Sequence, residues 1–180
     1  MTDTEQSKHL HDLVSICSRL PAVSVDQLVG VTRIVSHAPF EGHAAIGELA
    51  ATLAFDDQQI VALVDFLQLL DLIEFHHGRV SLTAHGTEFA HASMSKRRKI
   101  FADGLVMRIP IMRRMVDKIA SEPSHSRSRA ELLSDLAPHL SQADGDRLMN
   151  HIIGWARYAH LIVLDPSGET MSLKENRASA

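Results

Sequence analysis

Histidines are the side chains of this sequence best suited to metal or acid–base chemistry, and there are twelve of them in 180 residues. Three, His43, His125 and His139, fall in predicted loops or at predicted helix ends, within GHA, PSHS and PHL. Neutral imidazole is a common metal ligand, so these three side chains would form a metal or anion site if the fold brought them together. The same positions suit helix capping, because a histidine near a helix end can interact with free carbonyl groups. Both hypotheses stay open at this point.

Catalytic patterns are missing from the sequence. It contains no G-x-S-x-G, H-E-x-x-H or Cys/His nucleophile pattern. The single cysteine, Cys17, falls on the apolar stripe of a predicted helix, which is typical of a structural thiol. We therefore predict that the chain is not an enzyme and that it binds no cofactor.

Basic and aromatic residues form a second candidate site. The central helices carry Lys96, Arg97, Arg98, Lys99, Arg113 and Arg114, and the segment GWARY adds Trp155, Arg157 and Tyr158. Arginine and aromatic side chains are enriched at binding hot spots, so these nine residues predict an interaction patch for an acidic partner or an anion. The alternatives are a solvated face for the charged residues and a core position for the aromatic ones. Gly154, in the middle of a helix, predicts close approach of another helix.

The elements that would position these residues are predicted twice. Segments 48–82 and 131–173 each read as a short amphipathic helix, a break, a longer apolar helix, and two extended runs around a turn. That order predicts a winged helix-turn-helix. The fold class is thus mainly α with small β-hairpin wings, in a tandem winged-helix-like repeat.

Domain boundaries follow from the breaks between these elements. We predict an N-terminal helix in 1–23, a first winged-helix-like unit in 24–93, and central helices with a second unit in 94–174. Residues 175–180 are polar and predict a disordered tail. Leu10, Leu13 and Val14 give the N-terminal helix an apolar stripe that would allow a homo-oligomer.

Charge and hydropathy restrict the partners. The formal net charge is -4, and the third helix of each unit carries acids among its exposed positions, so DNA binding is disfavoured. No window has the roughly 18 apolar residues of a membrane span, so no membrane insertion is expected. The polar N-terminus lacks a signal-peptide core, which predicts a cytoplasmic protein.

Five segments resemble a known family. They are APFEGHAAIGELA (38–50), VSLTAHGTEFA (80–90), KRRKIFA (96–102), RAELLSDLAPHLS (129–141) and IIGWARYAHLIVLD (152–165). In this order they are similar to the AAA-associated C-terminal domain. The resemblance implies a domain that follows the ATPase subunit of ABC importers of the nitrate, sulfonate and taurine type. The chain has no G-x-x-x-x-G-K-[ST] loop, so the resemblance does not extend to ATP hydrolysis.

Three functions remain as hypotheses. The first is a non-catalytic regulatory or protein-interaction module that docks on an importer ATPase or pairs with itself. The second is a winged-helix transcription regulator, and the third is a small-molecule or metal sensor.

Overall fold

Eight helices and six strands make up residues 24–138 and 140–174, which the computed structural model describes. The helices are α1 (Val25–Ser36), α2 (Ile46–Leu53), α3 (Asp57–Leu69), α4 (Ala84–His91), α5 (Met94–Arg108), α6 (Pro110–Ala120), α7 (Arg129–Leu136) and α8 (Gln142–Tyr158). The strands are β1 (His43–Ala45), β2 (Ile73–His76), β3 (Arg79–Leu82), β4 (Ser126–Ser128), β5 (Ile162–Leu164) and β6 (Thr170–Leu173).

The chain divides into two compact units inside α5, between Gly104 and Leu105. We refer to described residues 24–104 as the first unit and to described residues 105–174 as the second unit. The sequence placed this division at residues 93 and 94. The first half of α5 falls in the first unit because its apolar side packs there, with the rings of Phe101 and Phe89 6.4 Å apart.

The predicted fold class, mainly helical with small β wings, is confirmed. Each unit contains one three-stranded antiparallel sheet, with strand order β1-β3-β2 in the first unit and β4-β6-β5 in the second. The last two strands of each unit, β2 with β3 and β5 with β6, form the predicted hairpins.

The first strand of each sheet was not foreseen. The sequence predicted loops or helix ends around His43 and His125, whereas β1 begins at His43 and β4, directly after His125, covers Ser126–Ser128. Both strands have three residues, which is too short to show the alternation that identifies a strand. They form by adding to the hairpin, β1 on β3 and β4 on β6.

The two units share backbone hydrogen bonds as well as element order. A helix, a strand, two helices and two strands follow one another in both, as α1-β1-α2-α3-β2-β3 and α6-β4-α7-α8-β5-β6. The first unit has Leu82 N to Gly42 O, Ile46 N to Gly78 O and Thr83 N to Leu72 O, and the second has Leu173 N to His125 O, Arg129 N to Glu169 O and Lys174 N to Leu161 O. The repeat predicted from the sequence is therefore present in the hydrogen bonding of the main chain.

The third helix of each unit ends in the same left-handed turn. Asp71 after α3 has φ 61° and His160 after α8 has φ 55°. In the first unit the N–H of Leu72 donates to Leu67 O, and in the second the N–H of Leu161 donates to Ala156 O. This six-to-one bond defines a Schellman motif, which usually places glycine at the left-handed position. The turn sends the chain directly from the helix into β2 or β5.

Side chains cap the starts of several helices. Ser24 and Ser128 form capping boxes with Gln27 and Glu131, and the Thr83 hydroxyl accepts from Gly86 N at 2.9 Å. Asp56 caps α3. Each side chain satisfies a backbone N–H that has no partner inside its helix.

Apolar side chains, mostly aliphatic, fill the core of each unit. In the first unit the interior is formed by α1, α3 and α4, with Leu28, Leu63, Phe66, Leu67 and Phe89 fully buried. In the second unit it is formed by α6, α7 and α8, with Met112, Met115, Leu132, Met149 and Ile152 fully buried.

The predicted N-terminal helix (with Cys17), His139 and the predicted tail 175–180 lie outside the described residues. Within the part of the chain that is described, no helix is both long and apolar enough to cross a membrane.

Leu67→Ala should lower the free energy of unfolding by roughly 2–5 kcal/mol, because Leu67 is fully buried on α3 and truncation leaves a cavity. Val61→Ala is the matched control on the same helix. Val61 is 49% exposed, so its truncation should change stability by less than about 0.5 kcal/mol. Urea unfolding followed by circular dichroism measures both, and equal small effects would show that α3 is not a core element.

Candidate functional site

In the second unit, α8 has a long exposed face that carries two arginines. Ala143, Arg147, Asn150, Gly154 and Arg157 recur at intervals of four and three residues and are all exposed. That spacing aligns them along one side of the helix. None of the five is acidic, so the stripe presents two guanidinium groups separated by small and neutral residues.

Arg147 is held in place from the first turn of α8. Its guanidinium pairs with Asp144, and the Ser141 hydroxyl donates to the same carboxylate at 2.6 Å. The hydrogen bond from Ser141, and then that from Arg147, keep the pKa of the Asp144 carboxyl below its ordinary value. The Arg147 side chain nevertheless stays 74% exposed, so most of its donors face solvent.

A second arginine supports the middle of the stripe. Arg129, the first residue of α7, donates from Nη1 to Asn150 Oδ1 at 3.0 Å. Its Nη2 donates to the carbonyl and the carboxylate of Asp146, at 3.0 and 3.1 Å. Both flanking acids of α8, Asp144 and Asp146, are therefore engaged by arginines and lie beside the stripe.

His151 and Trp155 form the layer beneath the stripe. Their rings are nearly parallel, 15° apart, with centroids separated by 6.2 Å. Burial, and then the positive charge of Arg147, lower the pKa of His151. Its Nδ1 is buried and has no hydrogen-bond partner among the described residues. His151 is therefore neutral near pH 7, and the charge of the face comes from arginine alone.

The predicted aromatic members of the patch lie at different depths. Trp155 is only 3% exposed and contributes to the core of the second unit. Tyr158 is half-buried, and Arg157 is exposed. Of the GWARY segment, Gly154 and Arg157 are thus the residues at the surface.

Gly154 does not pack against a helix, contrary to the sequence-based interpretation. A Cβ built on it would have no described atom within 4 Å, and the residue is exposed. The close-approach glycines are others: a Cβ on Gly86 would lie 1.8 Å from Leu72 O, and one on Gly145 would lie 2.8 Å from the Leu133 side chain. Gly154 therefore weakens α8 without serving any packing within the described structure.

The corresponding face of α3 has a different charge. Counting back from the shared left-handed turn, the positions of Arg147, Asn150, Gly154 and Arg157 are occupied in the first unit by Gln58, Val61, Asp65 and Gln68. All four are exposed and none is basic. One scaffold thus carries an acidic to neutral face in the first unit and a basic face in the second.

Arg97 and Arg113, from the predicted basic patch, bind the ends of helices. Arg97 donates to Phe89 O, Ala90 O and Ala92 O at 2.9–3.2 Å, where α4 ends. Arg113 donates to Val106 O at 3.1 Å and Met107 O at 3.3 Å, where α5 ends. These guanidinium groups satisfy carbonyls that have no partner inside the helix.

The other predicted basic residues are distributed over both units. In the first unit Lys96 pairs with Glu88 at 2.9 Å, Arg98 is half-buried and Lys99 is exposed. In the second unit Arg114 is half-buried beside an open groove of about 460 Å³ between α6 and α7.

That groove is lined by Arg114, Asp117, Lys118, Ser121, Asp135 and Leu136. Lys118 Nζ lies 3.1 Å from Asp135 Oδ2, and Arg127 contacts the same carboxylate and Glu122. Hydrogen bonds from Lys118 and then Arg127 lower the pKa of Asp135. The groove thus contains ion pairs that join α6 to α7 and β4.

Of the predicted metal candidates, one described residue belongs to each unit. His43 on β1 shares a hydrogen bond of 2.9 Å between its Nδ1 and Ser81 Oγ. His125 lies in the turn before β4 with φ 46°, and its carbonyl accepts from Leu173. His139 is not among the described residues. Over 24–138 and 140–174, no group of three or more His, Cys, Asp or Glu could hold a metal ion.

Sequence reasoning found Arg157 but missed Arg147, Asn150 and Gly154 as one surface. The signal was present, since the intervals from 143 to 157 repeat with helical periodicity. It was obscured because Asp144 and Asp146 were counted as exposed acids, whereas Asp146 pairs with Arg129 of α7, a contact that becomes apparent only in the fold.

Comparison with protein families gives a match over much of the chain. The model of the C-terminal AAA-associated domain matches residues 47–165, more than half of the chain. No curated protein gave a significant match. No solved structure did so either.

Gly154→Ala should raise the free energy of unfolding by about 0.5–1 kcal/mol, because alanine is the better helix former and its Cβ meets nothing. Gly86→Ala is the contrasting variant: its Cβ would collide with Leu72 O, so stability should fall. Denaturant unfolding compares the two variants with the parent. Loss of stability in Gly154→Ala would show that α8 is covered at this point.

Lowering the pH should reduce the stability of the second unit, because Asp135 becomes protonated and loses its ion pairs. Because folding lowers the pKa of this carboxyl below its ordinary value of 3.8, its contribution is complete above that pH and is lost as the pH falls through the lower, folded-state value. Asp135→Asn should therefore reduce the loss of stability that occurs as the pH falls below about 3.8. Unfolding curves across that range measure the effect, and an unchanged slope would contradict the ion-pair assignment.

Proposed function

The chain belongs to the C-terminal AAA-associated domain family, and we propose that it is a non-catalytic regulatory or protein-interaction module. Its partner is the ATPase subunit of an ABC importer of the nitrate, sulfonate or taurine type, and its place of action is the cytoplasm. Family membership carries this proposal. The family is named for its association with ATPases, and the domain that this chain resembles follows the ATPase subunit of such importers.

The outward face of α8 is the surface we assign to docking. Arg147 and Arg157 are both exposed on this face, and Asp144, which also accepts from Ser141, holds Arg147. Arginine held in a defined geometry loses little conformational entropy on binding a carboxylate. An acidic surface on the ATPase is therefore the complementary partner.

Gly154 supports the same assignment. An exposed glycine inside a helix costs about 1 kcal/mol relative to alanine, and no packing within the described residues requires it. A position without a side chain lets a partner's backbone approach the helix closely. The two arginines would then flank the point of closest contact.

Docking would regulate by favouring one state of the ATPase. A bound module shifts a conformational equilibrium only by the difference between its affinities for the two states. An arginine-rich surface also accelerates encounter with an acidic partner, so association should be sensitive to salt. The module then needs no catalytic group of its own.

Charge reversal on α8 tests the proposal. Arg147→Glu with Arg157→Glu should weaken binding to the importer ATPase at least about tenfold, equivalent to 1.4 kcal/mol, because attraction becomes repulsion. Binding is measured by isothermal titration calorimetry at low and physiological salt. ATP hydrolysis by the ATPase is followed with and without the module.

Arg33→Glu with Arg79→Glu is the matched control, since both residues are exposed in the first unit and the net charge changes equally. It should bind like the parent chain. Equal weakening by both double variants would indicate net charge rather than a docking face. No binding of the parent chain to the ATPase would overturn the proposal.

DNA binding is the second candidate, favoured by one observation. In a winged helix-turn-helix the third helix of the repeat enters the groove, and α8 is the third helix of the second unit with two exposed arginines. Asp165 and Glu169 in the turn between β5 and β6 oppose it, because they would face phosphates.

Fluorescence anisotropy with a duplex of the chain's own upstream DNA separates this candidate from the first. If α8 contacts phosphates, the logarithm of affinity should fall linearly with that of salt concentration, and each arginine removed should reduce the slope by about 1. Equal affinity of the parent chain and the Arg147→Gln, Arg157→Gln variant would exclude α8 as the DNA-binding helix.

A further inference from the structure

Two histidines outside the predicted sites lie side by side in the first unit. His37 follows the last residue of α1 and His91 is the last residue of α4, and both are exposed. Their ring centroids are 5.7 Å apart and their planes are inclined by 32°. The two C-terminal helix ends thus present a pair of imidazoles at one place on the surface.

Hydrogen bonds determine which ring nitrogen carries the proton. His37 Nδ1 lies 2.7 Å from Arg33 O and 2.9 Å from Ser36 Oγ, and His91 Nδ1 lies 2.9 Å from Thr87 O. The Ser36 hydroxyl donates to Arg33 O, and a carbonyl oxygen only accepts, so Nδ1 is the donor in the bonds to Arg33 O and Thr87 O. In the neutral form each ring therefore carries its proton on Nδ1 and has a lone pair on Nε2.

We propose that His37 and His91 form a two-histidine binding site for a divalent transition metal such as Zn²⁺, Ni²⁺ or Cu²⁺, with Nε2 of each ring as the ligand. Imidazole is a preferred ligand for these ions. A histidine that ligates a metal almost always donates its other N–H to a carbonyl or carboxylate, and both rings already do so.

The separation of the rings suits a shared ion. Zn–N bonds of about 2.0–2.1 Å place two imidazole centroids roughly 5–5.5 Å apart around a tetrahedral metal. The observed centroid separation of 5.7 Å is close to that range. Water or a group from a partner would complete the coordination.

Two charged residues near the pair, Glu88 and Arg97, have contacts of their own. Glu88, one turn before His91, pairs with Lys96 at 2.9 Å. Arg97 is engaged at the last carbonyls of α4. Carbonyls at the end of α1 carry partial negative charge, which favours a nearby cation. A bound ion would connect α1 to α4 through their ends.

Asparagine variants separate metal binding from helix capping. In His37→Asn and His91→Asn the amide N–H₂ can still donate near the Nδ1 position, but the Nε2 ligand is gone. His76→Asn, at the exposed tip of the first hairpin, is the control. The full chain, free of added tags, is titrated with Zn²⁺ and separately with Ni²⁺ by calorimetry. Long-range ¹H–¹⁵N spectra report the ring nitrogens.

The parent chain and His76→Asn should share one site whose Kd rises at least tenfold in both His37→Asn and His91→Asn. In the parent chain, the Nε2 signals of His37 and His91 should shift together on adding metal, and the melting temperature should rise. Equal affinity in all four proteins would overturn the proposal. Shifts confined to other histidines would do the same, whether or not a variant folds. Because no ATPase is present, the result is independent of the docking proposal.

Discussion

A left-handed turn at the end of the third helix determines how each unit is built. The residue after it, Leu72 or Leu161, is buried, and its N–H bonds back to the helix while its C=O accepts from the residue after the last strand. One residue therefore joins the helix, the strand that follows and the end of the sheet. In the first unit Leu72 O also limits the next helix, because α4 approaches it so closely that only glycine fits at Gly86. Helix orientation and hairpin position depend on this turn.

Much of this architecture could be predicted from local sequence. Capping side chains indicate where helices begin, because their hydrogen bonds reach only three residues along the chain. The apolar stripe of α3 identifies the face of that helix that packs in the core. Features that depend on tertiary contact could not be predicted. β1 and β4 are strands only because a hairpin lies beside them, and the division inside α5 follows from packing of Phe101 against Phe89.

The candidate site was harder to predict than the fold for a related reason. Sequence reasoning treats a charged side chain as available unless a partner is nearby in the chain. Arg97 and Arg113 bind carbonyls at helix ends, and Asp146 is held by Arg129 from another helix. Once these pairs are taken into account, the predicted basic helices have fewer unpaired charges, whereas α8 exposes Arg157 and also Arg147, which is paired with Asp144 of its own helix. The pairing of His37 with His91 was also hidden, because 54 positions separate them in the sequence.

The shared backbone of the two units has a consequence for how this family can change. The hydrogen bonds that the two units share at the ends of α3 and α8 join main-chain atoms of buried leucines, and in α8 the outward side chain of Asn150 also accepts from Arg129. Exposed side chains on the third helix can therefore be substituted while the main-chain hydrogen bonds of the unit are kept. The third helix of one unit can then keep an existing binding contact while that of the other unit acquires a new one. Duplication in this fold would supply a spare recognition surface on which selection can act.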